Sequence, residues 1–126
     1  MAGKKVFLVD DDEDFVDVIQ VTLESNGYEV ATAHSGEEAR EKIPGENPDV
    51  IVLDVMMETD DAGFKTARWL REQDETSDIP LLMLTAVNQQ YPMQFNADDV
   101  WLPVDEFLEK PVDGDQLMNT IEKVTS

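Results

Sequence analysis

The chain has 126 residues, which fits one compact domain, and 41% of them are apolar, so a folded core is expected. Asp and Glu number 29 against 9 Lys and Arg; the formal charge of −20 repels nucleic acid and anionic membranes, and neither is expected as a direct partner. There is no cysteine, which excludes thiolate chemistry, and no apolar run nears the ~20 residues that span a bilayer, so we expect a cytoplasmic protein.

The N-terminal part of the chain predicts a strand, a helix and a second strand. Residues 6–9 (VFLV) form a continuous apolar run typical of a buried strand. Asp14 is the predicted N-cap of the helix that follows, and Gly27 suits the left-handed position after its last turn. Residues 28–33 alternate as a strand does. One face of the predicted helix carries Phe15, Val18, Ile19, Thr22 and Leu23.

A second helix and a second buried strand occupy the next segment. Ser35 and Glu38 have the spacing of a capping box, which predicts a helix start, and Pro44 with Gly45 predicts its end. Residues 50–53 (VIVL) are again apolar throughout, as expected of a strand that is buried on both faces.

The C-terminal half repeats the alternation but contains one irregular stretch. A third helix is predicted after Gly63, a buried strand at 81–84 (LLML) and a short strand at 106–108. Between these strands, residues 87–105 contain two prolines and no clean helical period, which predicts a short, bent or absent helix. The last predicted helix carries Leu117, Met118, Ile121 and Val124 on one face.

This order of elements predicts an α/β fold. Three strands without polar positions imply a parallel sheet covered by helices on both faces, that is, a doubly wound three-layer sandwich. We expect a single domain over residues 1–126. In such sheets the ligand site lies beyond the carboxyl ends of the strands, so polar residues at strand ends become candidates for function.

Four predicted strand ends carry polar side chains. Asp10 and Asp11 follow the first buried strand, Asp54 follows the second, Thr85 follows the third, and Lys110 lies just after residues 106–108. Carboxylates at one rim repel one another unless a cation lies among them, and oxygen ligands without His or Cys favour Mg²⁺, with Mn²⁺ as the alternative. A carboxylate can also act as a nucleophile toward phosphorus, and a hydroxyl and an ammonium can hold the phosphoryl oxygens.

The stretches FLVDDDED, IVLDVMM, MLTA and FLEKP resemble the receiver domain of two-component response regulators, and the resemblance covers essentially the whole chain. It implies a (βα)5 fold with a five-stranded parallel sheet in the flavodoxin-like order 2-1-3-4-5. It also implies that Asp54 accepts a phosphoryl group from a sensor histidine kinase or a phosphotransfer protein. Asp10, Asp11, Asp54 and the backbone carbonyl of Met56 would hold Mg²⁺.

The same resemblance assigns the switch residues. Thr85 would move toward the phosphoryl group, Lys110 would pair with it, and Phe107 takes the place of the aromatic residue whose rotamer follows Thr85. The irregular stretch 87–105 stands where a family member has its fourth helix, so an irregular fourth helix is expected. The implied protein is a signalling module and not an enzyme, catalysing only its own phosphorylation and dephosphorylation, with a downstream protein effector and a monomeric or weakly dimeric state.

Two alternatives remain at this point. A haloacid-dehalogenase-type phosphatase would use Asp10 as its nucleophile, with Thr85 and Lys110 as later motifs; the phosphorylated position distinguishes it from a receiver. A pseudo-receiver that binds partners without phosphorylation is disfavoured because Asp10, Asp11, Asp54, Thr85 and Lys110 are all present.

Overall fold

A computed structural model describes residues 4–54, 62–86, 104–110 and 112–125. The five strands are β1 (Lys5–Val9), β2 (Glu29–Ala33), β3 (Val50–Asp54), β4 (Leu81–Ala86) and β5 (Glu106–Lys110). The helices within these ranges are α1 (Glu13–Ser25), α2 (Gly36–Glu46), α3 (Ala62–Glu72) and α4 (Gly114–Thr125). None of these helices has the length and hydrophobicity that crossing a bilayer demands.

All five strands are parallel and lie in the order β2-β1-β3-β4-β5, which confirms the predicted doubly wound sheet. The three continuous apolar runs are its central strands, and residues 6–9, 50–53 and 81–84 are fully buried. A strand covered on both faces must be apolar at every position, which is why these three runs were visible in the sequence. The irregular fourth helix was predicted within 87–105, of which 87–103 lie outside the described residues, so this stays a prediction.

The core lies on both faces of the sheet. Residues alternate in direction along each strand, so alternate strand positions face different helices. Helices α1 and α4 cover one face, where the buried side chains include Val6, Leu8, Ile19, Leu82, Leu84, Leu117 and Ile121. Helices α2 and α3 cover the other, where they include Phe7, Val9, Ile43, Ile51, Leu53, Leu70 and Met83.

The predicted start and packing face of α1 need correction. The N-cap is Asp12 and not Asp14: the Asp12 Oδ1 accepts a hydrogen bond from the Phe15 N–H at 3.2 Å, so the helix begins two residues earlier. The predicted apolar face is also partly wrong, because Val18 is 63% exposed while Val16 is buried. A helix turns by about 100° per residue, so moving the stripe toward Val16 turns Val18 toward solvent.

Two further helix ends differ from prediction. Helix α2 does not stop at Pro44 but continues to Glu46, since a proline in the last turn removes only one backbone donor; Asn47, with φ 52°, then ends the helix. The third helix begins at Ala62 and so includes Gly63. The predicted left-handed position after α1 is confirmed, because Gly27 has φ 93°.

Polar contacts join the helices to the amino end of β1, at the edge opposite the strand ends singled out above. The Lys4 Nζ contacts Glu122 Oε1 of α4 at 3.1 Å, and the Lys5 Nζ bonds Glu46 of α2. The Tyr28 hydroxyl donates to the same Glu122 carboxylate, and its burial together with this bond raises the pKa of Tyr28 to about 12. One carboxylate thus links α4 to the starts of two strands.

Candidate functional site

Three carboxylates meet at the carboxyl edge of the sheet. Val9 of β1 pairs in register with Leu53 of β3, so the residues that follow each, Asp10 and Asp54, lie side by side. Asp11 joins them, and one carboxylate oxygen from each of the three lies within 4.8 Å of the other two. The acids predicted to converge are therefore brought together by the register of two central strands.

The three carboxylate residues of the cluster differ in burial. Asp10 is fully buried and Asp54 is 8% exposed, whereas Asp11 faces solvent. Asp11 therefore gives the cluster one carboxylate in contact with solvent.

The turn that carries the cluster is held by one hydrogen bond to β2 and one within the turn. The Asp10 N–H donates to the Ala33 carbonyl of β2 at 3.2 Å, and Asp10 Oδ1 accepts from the Asp12 N–H at 2.9 Å. Asp12 then caps α1. Asp12 was not identified from the sequence as a positioning residue. Asp is a favoured N-cap three residues before a helical N–H such as that of Phe15, but five successive acids made the choice among them ambiguous.

The donor set fits a hard divalent cation. Two carboxylates 4.8 Å apart repel by about 3.5 kcal/mol at an effective dielectric near 20, so three ionised groups gain from a cation between them. All three ligands are oxygens, as Mg²⁺ and Mn²⁺ prefer, and one or two carboxylates with several waters are enough for Mg²⁺. Asp10, Asp11 and Asp54 are thus a suitable set for magnesium.

Thr85 lies on the next strand of the same edge. Asp54 pairs with Leu84 of β4, so Thr85 is one residue further along, and it is partly exposed. Met83 pairs with Phe107 of β5, and strand alternation places Thr85 and Phe107 on the same face as diagonal neighbours. The Phe107 side chain is 38% exposed, which leaves its ring accessible to solvent.

The remaining predicted site residues are only partly described. Lys110 is the last residue of β5, and its backbone pairs with Ala86 at the same sheet edge, one strand beyond Thr85. Met56 lies in 55–61, outside the described residues, so its predicted role as a carbonyl ligand stays a prediction. The structure therefore brings Asp10, Asp11 and Asp54 together, with Thr85 and the Lys110 backbone on successive neighbouring strands.

The sequence matches the model of the response regulator receiver domain family over residues 6–122. Among full-length relatives, the alkaline phosphatase synthesis transcriptional regulatory protein PhoP of Bacillus subtilis is 41% identical over 109 residues, covering 86% of this chain and 43% of PhoP. The phosphate regulon transcriptional regulatory protein PhoB of Pseudomonas aeruginosa is 32% identical over 124 residues, covering 98% and 52%. The chain thus spans about half the length of the curated relatives it matches.

Solved structures share the fold. The chemotaxis response regulator CheY4 of Vibrio cholerae superposes with a TM-score of 0.83 at 31% identity, covering 97% of this chain and 98% of CheY4. The receiver domain of the sensor histidine kinase PA1611 from Pseudomonas aeruginosa PAO1 gives 0.82 at 25% identity, covering 98% and 99%. That receiver domain was crystallised with a magnesium ion coordinated in its active-site cleft.

Proposed function

The chain belongs to the response regulator receiver domain family, and we propose that its residues 1–126 form a single receiver domain that accepts a phosphoryl group on Asp54. A receiver domain of two-component response regulators is a signalling module and not a classical enzyme. The observation that carries the proposal is the convergence of Asp10, Asp11 and Asp54 within 4.8 Å at one end of the sheet. The family match gives no support to the alternative of a phosphatase with Asp10 as nucleophile.

The proposed reaction transfers a phosphoryl group from a phosphohistidine to Asp54. A carboxylate oxygen of Asp54 attacks phosphorus, the new P–O bond forms as the P–N bond breaks, and the imidazole leaves and takes up a proton. The product is an acyl phosphate on Asp54, and water later attacks its phosphorus to release phosphate and restore the carboxylate. Asp54 suits the nucleophile because β3 holds it at the sheet edge, beside the exposed Asp11.

Mg²⁺ is the proposed cofactor, with Mn²⁺ as the alternative. Asp10, Asp11, Asp54 and the carbonyl of Met56 would hold it, and the all-oxygen donor set supports this choice. When bound, Mg²⁺ would neutralise charge on the phosphoryl oxygens during transfer. The contacts of Asp10 with Ala33 and Asp12 keep its carboxylate aimed into the cluster.

Thr85 and Lys110 are the proposed groups that detect the phosphoryl group. Thr85 lies near the end of β4, which is next to β3, and the Lys110 backbone ends β5, one strand further on, so both residues belong to the same sheet edge as Asp54. Phe107 is the proposed readout, because it shares a face with Thr85 and its ring is accessible. A shift of Thr85 toward the phosphoryl group would vacate space next to Phe107 and change the surface that a partner meets.

A sensor histidine kinase or a phosphotransfer protein is the proposed phosphodonor. Helix α1 starts just after the acid cluster and exposes Val18 and Val21, each 63% accessible, so a donor protein that covers Asp11 can also pack on this apolar pair. A cytoplasmic location, a downstream protein effector and a monomeric or weakly dimeric state remain predictions. PhoP and PhoB are transcriptional regulatory proteins. The prediction that nucleic acid is not a direct partner therefore applies to the residues of this chain alone, and not to a longer protein.

The test is phosphorylation by a small phosphodonor, followed by intact-mass spectrometry. With Mg²⁺ the wild-type chain should gain the mass of one phosphoryl group, and with chelator it should gain none. Asp54→Asn should stay unmodified in both conditions, while Asp78→Asn, which removes one exposed carboxylate elsewhere, should behave as wild type. Modification of Asp54→Asn to the wild-type extent would refute the assignment.

A further inference from the structure

The acidic surplus of this chain is spread over its surface and not confined to the site. Helix α1 carries four acids and no Lys or Arg, and all four are exposed: Glu13, Asp14, Asp17 and Glu24. Further exposed acids lie on α2 and in the turns after α3, among them Glu37, Glu41, Asp74, Glu75 and Asp78. Neighbours on one helix face, such as Asp14 and Asp17, carry like charge, which opposes helix formation.

The basic residues do not offset this surplus. Five of the basic residues form ion pairs with acids: Lys4 with Glu122, Lys5 with Glu46, Lys42 with Glu38, Arg71 with Asp105, and Lys123 with Glu106. Each pair cancels one acid and one base, so pairing leaves the net charge of −20 unchanged. The folded chain therefore holds a large excess of like charge on a small surface.

The range of the repulsion depends on salt. A domain of this length has a radius of gyration of about 14 Å. The Debye length is ~30 Å at 0.01 M salt and ~3 Å at 1 M, so like charges repel across the whole surface at low salt, whereas only charges in contact interact at high salt. Salt also weakens the ion pairs, but the surplus acids outnumber those pairs and decide the sign.

We propose that the folding stability of this domain depends on ionic strength: monovalent salt stabilises the folded chain by screening its surplus carboxylates, and dilution of salt destabilises it. In the unfolded chain the same charges are further apart, so repulsion acts mainly on the compact state. The response belongs to the whole surface and does not require Asp54, Mg²⁺ or phosphorylation.

Urea unfolding followed by circular dichroism tests this, because urea is uncharged. With chelator present, the midpoint should rise by on the order of 1 M urea between about 0.01 M and about 1 M KCl. NaCl should give the same rise at equal ionic strength. A midpoint that stays constant or falls as KCl increases would overturn the proposal.

Charge variants separate screening from a general salt effect. The triple variant Asp17→Asn/Glu41→Gln/Glu75→Gln neutralises three exposed acids, so its midpoint should exceed that of wild type at low salt and equal it at high salt. Arg68→Gln removes an exposed positive charge, so its low-salt midpoint should lie below that of wild type. Equal low-salt midpoints for wild type and both variants would overturn the proposal. The urea midpoint of Asp54→Asn should still rise with KCl, which distinguishes this salt dependence from the function of the phosphorylation site.

Discussion

Replacing Asp54 by asparagine should stabilise the metal-free protein. Asp10 and Asp54 are both buried, and because their nearest oxygens lie within 4.8 Å, their repulsion is at least about 3.5 kcal/mol at an effective dielectric near 20. Asp11 is exposed, so water screens its repulsion of the other two carboxylates. A buried amide must still find hydrogen-bond partners, which offsets part of the gain. We therefore expect Asp54→Asn to add roughly 2 kcal/mol to the free energy of unfolding, a Tm rise of about 8 °C for a chain of this length.

Thermal and urea unfolding with chelator and with Mg²⁺ measure this effect. Wild type should gain about 2.7 kcal/mol when Mg²⁺ is present at a hundred times its Kd. Asp54→Asn should gain far less, because it starts without the repulsion and lacks one ligand. The two proteins should therefore differ most with chelator present and converge as Mg²⁺ is added.

A matched control removes the same charge away from the cluster. Asp78 is exposed in the turn region between α3 and β4, and Asp78→Asn should leave both the metal-free stability and the Mg²⁺ gain near wild type. The reasoning fails if Asp54→Asn is less stable than wild type in chelator, or if it gains as much from Mg²⁺.

Three further predictions concern packing and pH. A Cβ on Gly114 would lie 2.5 Å from the Thr22 Cγ2, so Gly114→Ala should cost about 1–3 kcal/mol in urea unfolding, and adding Thr22→Ser, which removes that methyl, should restore most of it; a double variant no more stable than the single one would exclude this cause. The raised pKa of Tyr28 favours its neutral form in the folded state, so this stabilisation is complete below pH about 10 and is lost as pH rises toward about 12. Tyr28→Phe cannot donate to Glu122, so its free energy of unfolding should fall less steeply with pH over that range than that of wild type. Identical pH profiles of the two proteins would contradict this. Phe7→Ala should cost about 3–5 kcal/mol in urea unfolding because the ring is fully buried; a loss below 1 kcal/mol would contradict its core role.

The sheet could be predicted from the sequence because its physics leaves a simple pattern. Central strands buried on both faces must be apolar throughout, and residues 6–9, 50–53 and 81–84 satisfy this. Parallel strands end at the same edge, so the residues after these runs had to share a rim, and Asp10 and Asp54 do. The strand order itself came from the resemblance to receiver domains.

Helix details were harder to predict because several choices had similar local energies. Five successive acids offer several competing N-caps, and in the structure Asp12 is the one whose side chain accepts from the Phe15 N–H. The apolar positions of α1 fit two overlapping stripes that share Ile19 and Leu23, and packing against the sheet selects the one with Val16, leaving Val18 in solvent. Pro44 was expected to end α2, but the last turn tolerates it.

The most direct test of the central claim identifies the carboxylate that carries the phosphoryl group. Borohydride reduces an acyl phosphate of aspartate to homoserine, so phosphorylation with Mg²⁺, reduction and peptide mass spectrometry mark the modified residue. Homoserine at position 54 alone, and only when Mg²⁺ was present, is the predicted result. Homoserine at position 10, or at no position under a strong phosphodonor, would contradict the account.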